Sequence, residues 1–258
     1  MSNGRKPCVL LTNDDGYQAA GLRSLADHLK EFADVQIVAP SMERSGAAQS
    51  LTLRQPIVCH RISESEWAID GTPADCVIVA LHKLLPQPPA LVISGINHGA
   101  NLGENVYYSG TVGAAREAVI HHVPGLAVSL CSKRVNSDFA PTSRLTLQIA
   151  QLILRETLPE QVLLNVNVPE NWNGGVKLTR QSKKITRTVL REGEDPRGLP
   201  YFWLSEQRMD REMEIDSESD YAAIFGHEAS ITPLHLDPTH AESLNHLSHW
   251  IPLLAKRT

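Results

Sequence analysis

Short unbroken apolar runs alternate with longer stretches of helical spacing over residues 1–170, and that alternation predicts strands and helices in turn. Cys8-Val9-Leu10-Leu11 reads as a first strand that stops abruptly at Thr12-Asn13-Asp14-Asp15-Gly16. Over residues 19–32, Leu22, Leu25, Ala26 and Leu29 share one helical face, and Val35-Gln36-Ile37-Val38-Ala39-Pro40 is a second strand closed by proline. Residues 51–62 read as extended, with Pro56 barring the middle from a central place in a sheet. A Thr72-Pro73-Ala74-Asp75 start then predicts a helix through Val77, Ile78, Ala80, Leu81 and Leu84. In it, Asp75 is read as a first-turn partner of the helix dipole.

Ala90-Leu91-Val92-Ile93-Ser94 is the next strand, and it is expected to break into the glycine- and asparagine-rich loop of residues 95–103. A small-residue helix over 112–120, a strand over 125–130, an amphipathic helix over 141–158 and a strand over 162–168 complete the repeat. Strand, helix, strand units of this size pair their strands in parallel and place the strand ends side by side, which makes the class α/β.

Beyond Pro169 the rhythm changes. Residues 176–215 mix short alternating pieces, Lys177-Leu178-Thr179 and Ile185-Thr186-Arg187-Thr188-Val189, with many charges and the aromatic cluster Tyr201-Phe202-Trp203. Aromatics among polar residues mark interfaces, so an extended hairpin-rich subunit contact is expected; a surface insertion folded back on the core is the alternative. Residues 220–225 read as a helix with Asp220 as its cap, and 229–234 as a closing strand. The expected organisation is a core over 1–170, an extended hairpin and oligomerisation region over 171–234, and a tail over 235–258. That tail carries His235, His240, His246 and His249; His240 and His246 lack partner ligands at a zinc-like spacing, so a solvated terminal helix is preferred to a metal cluster.

Composition narrows the function classes. At 258 residues, 42% apolar and 21% charged with a net charge of -5, the chain is long enough for a large core and too acidic to wrap a nucleic-acid polymer. Cys8, Cys59, Cys76 and Cys131 sit in apolar segments without metal-like spacing, and are expected as buried free thiols in a reducing compartment. The basic Gly4-Arg5-Lys6-Pro7 precedes an apolar run too short for a signal-peptide core, and no segment has membrane-spanning length, so a cytoplasmic, membrane-free protein is expected.

Candidate chemistry sits where the strands stop. Asp14 and Asp15 follow the first strand, Ser41, Ser45 and Ser50 the second, and Asn97 with Asn101 the one starting at Ala90. Open α/β sheets bind ligands outside their strands' carboxyl ends, although an Asn-Asp-Asp-Gly run also makes an ordinary surface turn, and Ser45 an ordinary turn hydroxyl. Two carboxylates about 4 Å apart repel by ~4 kcal/mol at an effective dielectric of about 20, so a pair facing inward calls for a cation. Oxygen donors of this kind suit magnesium or manganese, and such ions commonly serve phosphoryl transfer. Gly46, Gly95, Gly99 and the Ser109-Gly110-Thr111 helix start are candidates for phosphate-binding amides. A nicotinamide-dependent oxidoreductase is disfavoured, because the first strand's turn lacks the glycine fingerprint.

Six blocks, in order, then carry a family resemblance: Leu11-Thr12-Asn13-Asp14-Asp15-Gly16; Ala39-Pro40 with Arg44-Ser45-Gly46; Gly71-Thr72-Pro73-Ala74-Asp75-Cys76-Val77; Ser94-Gly95-Ile96-Asn97-His98-Gly99-Ala100-Asn101-Leu102-Gly103; Tyr108-Ser109-Gly110-Thr111-Val112-Gly113-Ala114-Ala115; and Ser230-Ile231-Thr232-Pro233-Leu234. Together they resemble the signature blocks of the SurE nucleotidases and span nearly the whole chain. The resemblance implies a Rossmann-like, mostly parallel sheet flanked by helices with an extended C-terminal hairpin region, assembled as a dimer or tetramer. It implies a phosphatase of nucleoside 5'- and 3'-monophosphates, in some members also of short polyphosphate, using one divalent ion, Mg2+ or Mn2+, per subunit. By motif position Asp14, Asp15, Ser45 and Asn97 match the metal ligands, with Asp14 and Asp15 at the chemistry. Asn101, Ser109, Gly110 and Thr111 match the substrate neighbourhood, with which Asn13 and Gly46 are grouped. Attack by water and an Asp14 acyl phosphate both remain open, as does a non-catalytic nucleotide-binding role; His98 is a neighbour with either a chemical or a packing role.

Overall fold

The structure, a computed structural model, describes residues 6–132, 134–183, 186–208 and 215–254; Gly4, Arg5 and Ile185 lie outside the described residues. Its first half runs β1 (Cys8–Thr12), α1 (Ala20–Leu29), β2 (Asp34–Pro40), β3 (Cys59–Arg61), β4 (Glu66–Ile69) and α2 (Pro73–Val79), which a π-helical turn (Ala80–Leu84) continues. Next come β5 (Leu91–His98), a 3-10 turn (Gly103–Tyr107), α3 (Gly110–Ile120), β6 (Gly125–Cys131), α4 (Ala140–Glu156) and β7 (Val162–Pro169). The remainder is β8 (Val176–Leu178), β9 (Thr186–Glu194), β10 (Pro200–Arg208), α5 (Asp220–Phe225), β11 (Ala229–His235), α6 (Ala241–Leu247) and α7 (Trp250–Leu254).

Strands β3-β4-β2-β1-β5-β6-β7-β11-β8 form one sheet in that spatial order. Neighbours from β4 to β7 pair in parallel, whereas β3 and β11 run antiparallel to β4 and β7. Side chains alternate between two helical layers, as the period of a strand requires. Val9 and Leu11 of β1 pack with Leu22, Leu25 and Leu29 of α1 and Leu145, Ile149 and Ile153 of α4. Leu10 faces the other way, onto Cys76 and Val77 of α2 and Ala114 and Ala118 of α3. Each large side chain buried in these layers contributes ~1.5–3 kcal/mol, which is why β1 is apolar on both faces.

The chain builds outward from β1 through β2 to β4, then returns across the sheet to start β5 on the opposite side of β1. That reversal makes the gap between β1 and β5 the topological switch point, where a crevice opens at the carboxyl ends of the strands. The mixed α/β architecture is therefore the Rossmann-like one that the sequence implies.

Several local expectations differ from the structure. The strand expected to stop at Ser94 continues to His98, with a register shift against β6 between Ser94 and Asn97. Gly95 permits this, since a Cβ there would lie 2.4 Å from the Val128 carbonyl oxygen. Of residues 51–62 only Cys59–Arg61 form a strand, at the sheet edge. Asp75 is more than a dipole partner. It exchanges bonds with Thr72 across the first turn of α2 (2.8 and 3.1 Å) and accepts the Thr52 hydroxyl (2.6 Å), anchoring the preceding loop. Ser219, not Asp220, caps α5. The four cysteines are free, but only Cys76 is buried; Cys8 and Cys131 are half-buried and Cys59 is exposed. Helices α6 and α7 bury no residue, and among the described residues no helix is long and apolar enough to cross a membrane.

Candidate active site

The apolar strand β1 ends in a turn that its own side chains hold. Asn13 is fully buried and donates through Nδ2 to the Gly16 carbonyl (2.8 Å), while the Asp14 carbonyl accepts the Arg44 N–H from the loop after β2 (2.7 Å). Two strand ends are thereby tied, and the Asp14 side chain is directed toward the start of α3. Its carboxylate accepts the Thr111 hydroxyl and the backbone N–H groups of Gly110 and Thr111. These are orphan amides of a helix N-terminus, where an anion is favoured. Approach is close enough that a Cβ at Gly110 would lie 2.9 Å from Asp14 Cβ.

Asp15 faces β5, and its Oδ2 accepts the His98 N–H (3.1 Å). Burial pushes the Asp15 carboxyl up to about 6, with the negative charge of Asp14 adding to the effect. Burial likewise raises Asp14, against the lowering bonds from Thr111 and Gly110. Among the described residues neither carboxylate has an ion-pair partner.

A cavity of about 590 Å3 opens beside this pair, lined by Asp14, Ser45, Gly46 and the loop of residues 97–101. Ser45 is exposed and donates to Glu43 (2.7 Å). Asn97 donates through Nδ2 to the Gly99 carbonyl (2.8 Å), which leaves Oδ1 as the acceptor it can offer. Ser109 lines the floor and caps α3 by accepting the Val112 N–H (3.1 Å). His98 lies on the rim, with its ring centroid 6.0 Å from that of Phe139.

The residues expected to hold metal and substrate therefore separate into two groups. Asp14, Ser45, Gly46, Asn97, Asn101 and Ser109 line the cavity, and Asp15 stands beside it against His98. Asn13, Gly110 and Thr111 do not line it; Gly110 and Thr111 hold the Asp14 carboxylate, and Asn13 holds the turn through Gly16. Gly95 is enclosed in β5, and the Gly99 N–H already donates to Leu130 (2.9 Å), which leaves Gly46 as the glycine on the wall with phosphate-facing potential. Ser41 is directed to Asp70 (2.5 Å), and the Ser50 carbonyl accepts the Thr72 hydroxyl (2.7 Å), so both belong to the β4–α2 side.

Sequence reasoning missed the far wall. Asn105 and Tyr108 come from the segment between β5 and α3, and Thr188, Leu204 and Ser205 from the β9–β10 hairpin. Tyr108 opens one of the signature blocks without being read as a site residue, and the hairpin residues gave no signal of their own.

The donor set fits a hard divalent cation. Two adjacent carboxylates without a counter-ion among the described residues, flanked by a hydroxyl and an amide oxygen, are donors of the kind that suits Mg2+ or Mn2+ better than zinc. Among the described residues no three His, Cys, Asp or Glu side chains are grouped to hold a metal, so the neutral oxygens of Ser45 and Asn97 would complete the protein's share.

Known proteins resemble the chain along nearly all of its length. The family model "Survival protein SurE" matches residues 9–188. The 5'-nucleotidase SurE of Pelobacter propionicus is 40% identical over 247 residues, covering 94% of this chain and 99% of that one. The 5'-nucleotidase SurE of Myxococcus xanthus is 41% identical over 257 residues, covering 97% and 95%. Among solved structures, the SurE protein of Aquifex aeolicus superposes with a TM-score of 0.83 at 36% identity, over 95% of this chain and 99% of the other.

Proposed function

The chain belongs to the SurE family of survival proteins, and from that premise we propose that it is a metal-dependent 5'-nucleotidase, hydrolysing nucleoside 5'-monophosphates to nucleoside and phosphate. Nucleoside 3'-monophosphates and short polyphosphate share the same phosphoryl chemistry and belong to the proposed substrate range. The observation that carries this reading is the pair Asp14 and Asp15 at the β1–β5 switch point, beside a cavity that also presents Ser45 and Asn97.

In this reading Asp14, Asp15, Ser45 and Asn97 hold one Mg2+ or Mn2+ ion. When bound, the ion offsets phosphate charge and lowers the pKa of a coordinated water. The chain's own residues do the positioning. Thr111 and the α3 amides fix Asp14, the His98 amide orients Asp15, and the exposed Gly46 turn with Ser109 forms the surface against which the phosphate lies, with Asn101 on the wall that meets the rest of the substrate. Three donors on Asp14 reduce its nucleophilicity, and this favours attack by water over an Asp14 acyl phosphate.

The β9–β10 hairpin supports self-association, because it pairs only with itself among the described strands and exposes Leu190, Phe202 and Trp203. A dimer or tetramer is proposed, acting in the cytoplasm, where free thiols such as Cys59 stay reduced. The test of function is phosphate release from a panel of nucleoside 5'- and 3'-monophosphates and short polyphosphate. Release from the 5'-monophosphates is expected; binding of nucleotides without release would establish the non-catalytic alternative.

A further inference from the structure

Asn101 stands on the cavity wall, but no neighbouring strand or helix satisfies its backbone. Side chains of β7 do so instead. The Asn101 N–H donates to Asn167 Oδ1 (2.8 Å), and its carbonyl accepts from Asn165 Nδ2 (2.8 Å) and Asn167 Nδ2 (3.1 Å). The Asn101 side chain is bonded to Ser129 Oγ on β6 (2.9 Å). Ser129 and Asn167 are register partners, and Asn165 lies two residues before Asn167 on the same face. All three are fully buried, at positions where a strand inside a two-layer core would ordinarily carry Val or Leu.

Two residues further along, the Gly103 N–H donates to Asp220 Oδ2 (2.7 Å). The other carboxylate oxygen accepts the Ser182 hydroxyl (2.5 Å) and the Tyr221 N–H (2.8 Å). Gln181 adds a bond from Nε2 to the Gly103 carbonyl (3.0 Å). Asp220 is fully buried and has no ion-pair partner among the described residues. A buried carboxylate persists only where its oxygens are met. Here they are met by the site's own loop and by the segment just before β9, which leads to Thr188 on the cavity wall.

We propose that Asn167 and Asp220 are positioning residues for the nucleoside-side wall of the cavity. Asn167 sets Asn101 from below, and Asp220 holds the root of the hairpin in register with the Asn101–Gly103 loop. Neither side chain lines the cavity, so both act through the residues they bind. The proposal rests on the phosphatase reading, and it divides the site. Asp14 is held separately, by Thr111 and the amides of α3, so the clamp governs how the substrate's larger part is seated rather than the cation.

The test uses near-isosteric variants of the full chain. Asn167→Asp keeps the acceptor for the Asn101 N–H but turns a carboxylate oxygen toward the Asn101 carbonyl. In Asp220→Asn one oxygen becomes an NH2 group, and in either amide orientation it opposes a donor. Hydrogen exchange at the Asn101 and Gly103 amides is measured alongside kcat and KM for a nucleoside 5'-monophosphate and for p-nitrophenyl phosphate, at saturating Mg2+ or Mn2+.

Exchange at Asn101 in Asn167→Asp, and at Gly103 in Asp220→Asn, is expected to accelerate about tenfold or more. KM for the nucleotide is expected to rise about tenfold, with its kcat, the KM for p-nitrophenyl phosphate and the half-saturating metal concentration each within about threefold of wild type. Unchanged exchange, equal losses for both substrates, or a fall in kcat with KM intact would overturn the proposal. Should either variant fail to fold, Asn165→Ala and Ser182→Ala each remove one bond of the same clamp and are held to the same criteria. A wild-type protein that hydrolyses neither substrate defeats the phosphatase reading, and exchange then judges the clamp separately.

Discussion

The two walls of the cavity are built by different means. The carboxylate wall grows out of the sheet: β1 is buried on both faces, the Asp14 turn is tied to the β2 loop, and α3 closes over the carboxylate with a hydroxyl and two amides. The other wall includes Thr188, Leu204 and Ser205, carried on a two-stranded hairpin that, among the described residues, contributes to none of the hydrophobic clusters. Elements with few buried contacts open at lower free energy than core strands. On the proposed reading, chemistry is placed where positions are rigid and substrate fit where the chain can adjust.

The contrast is sharpest at Asp14. Asp14→Asn removes one of the two carboxylates but preserves shape, and kcat for a nucleoside 5'-monophosphate is expected to fall by about 10²–10³-fold or more, with a small change in Tm. A loss below tenfold would break the distinction between the walls. Next is Gly110→Ala, whose Cβ would meet Asp14 Cβ at 2.9 Å and Pro73 Cγ at 3.0 Å. Displacing Asp14 by even part of an ångström is expected to lower kcat by about 10–100-fold, and the overpacking to cost about 1–3 kcal/mol of stability, read by urea unfolding.

Protons and metal give a smaller, graded effect. Asp15 carries a carboxyl raised by burial to about 6, above its value in the unfolded chain, so the folded state binds the proton more tightly. Its contribution favours folding at low pH and is lost as pH rises through about 6. In metal-free protein this group's contribution to stability therefore falls as pH rises from about 4 through about 6, and Mg2+ or Mn2+ should raise Tm at pH 7.5 far more than at pH 5. Equal metal shifts at both pH values would contradict it. The smallest effect belongs to the far wall: Leu204→Ala is expected to raise KM for the nucleotide by about two- to fivefold, leaving kcat unchanged.

How much of this could be read from the chain follows the same division. The β1–α1–β2 unit and the two-faced burial of Leu10 and Leu11 follow from apolar periodicity, and the turn chemistry of Asn13 to Gly16 marks where the strand must end. Asp14 and Ser45 were legible as oxygen donors after strand ends, and Asn97 as one near the end of β5, because parallel topology brings such ends together. The supporting bonds were not. Nothing local in the sequence tells that Gly110 and Thr111 would be used on Asp14, or that Asp220 would reach Gly103 across 117 positions. Such pairs are decided by packing between distant elements, and Asp220 read only as a cap because a cap is what its neighbours permit. Leu204 was hidden for a related reason: an alternating exposed hairpin looks the same whether its side chains meet a partner subunit or a cavity.

The account's central claim is that the Asp14–Asp15 end of the cavity performs metal-dependent phosphomonoester hydrolysis. It is tested most directly by phosphate release from a nucleoside 5'-monophosphate before chelation, after chelation, and after readdition of Mg2+ or Mn2+. The account predicts that release is lost on chelation and restored by either ion in the wild type, with little restoration in Asp14→Asn. Release that persists unchanged through chelation, or that Asp14→Asn matches, would contradict it.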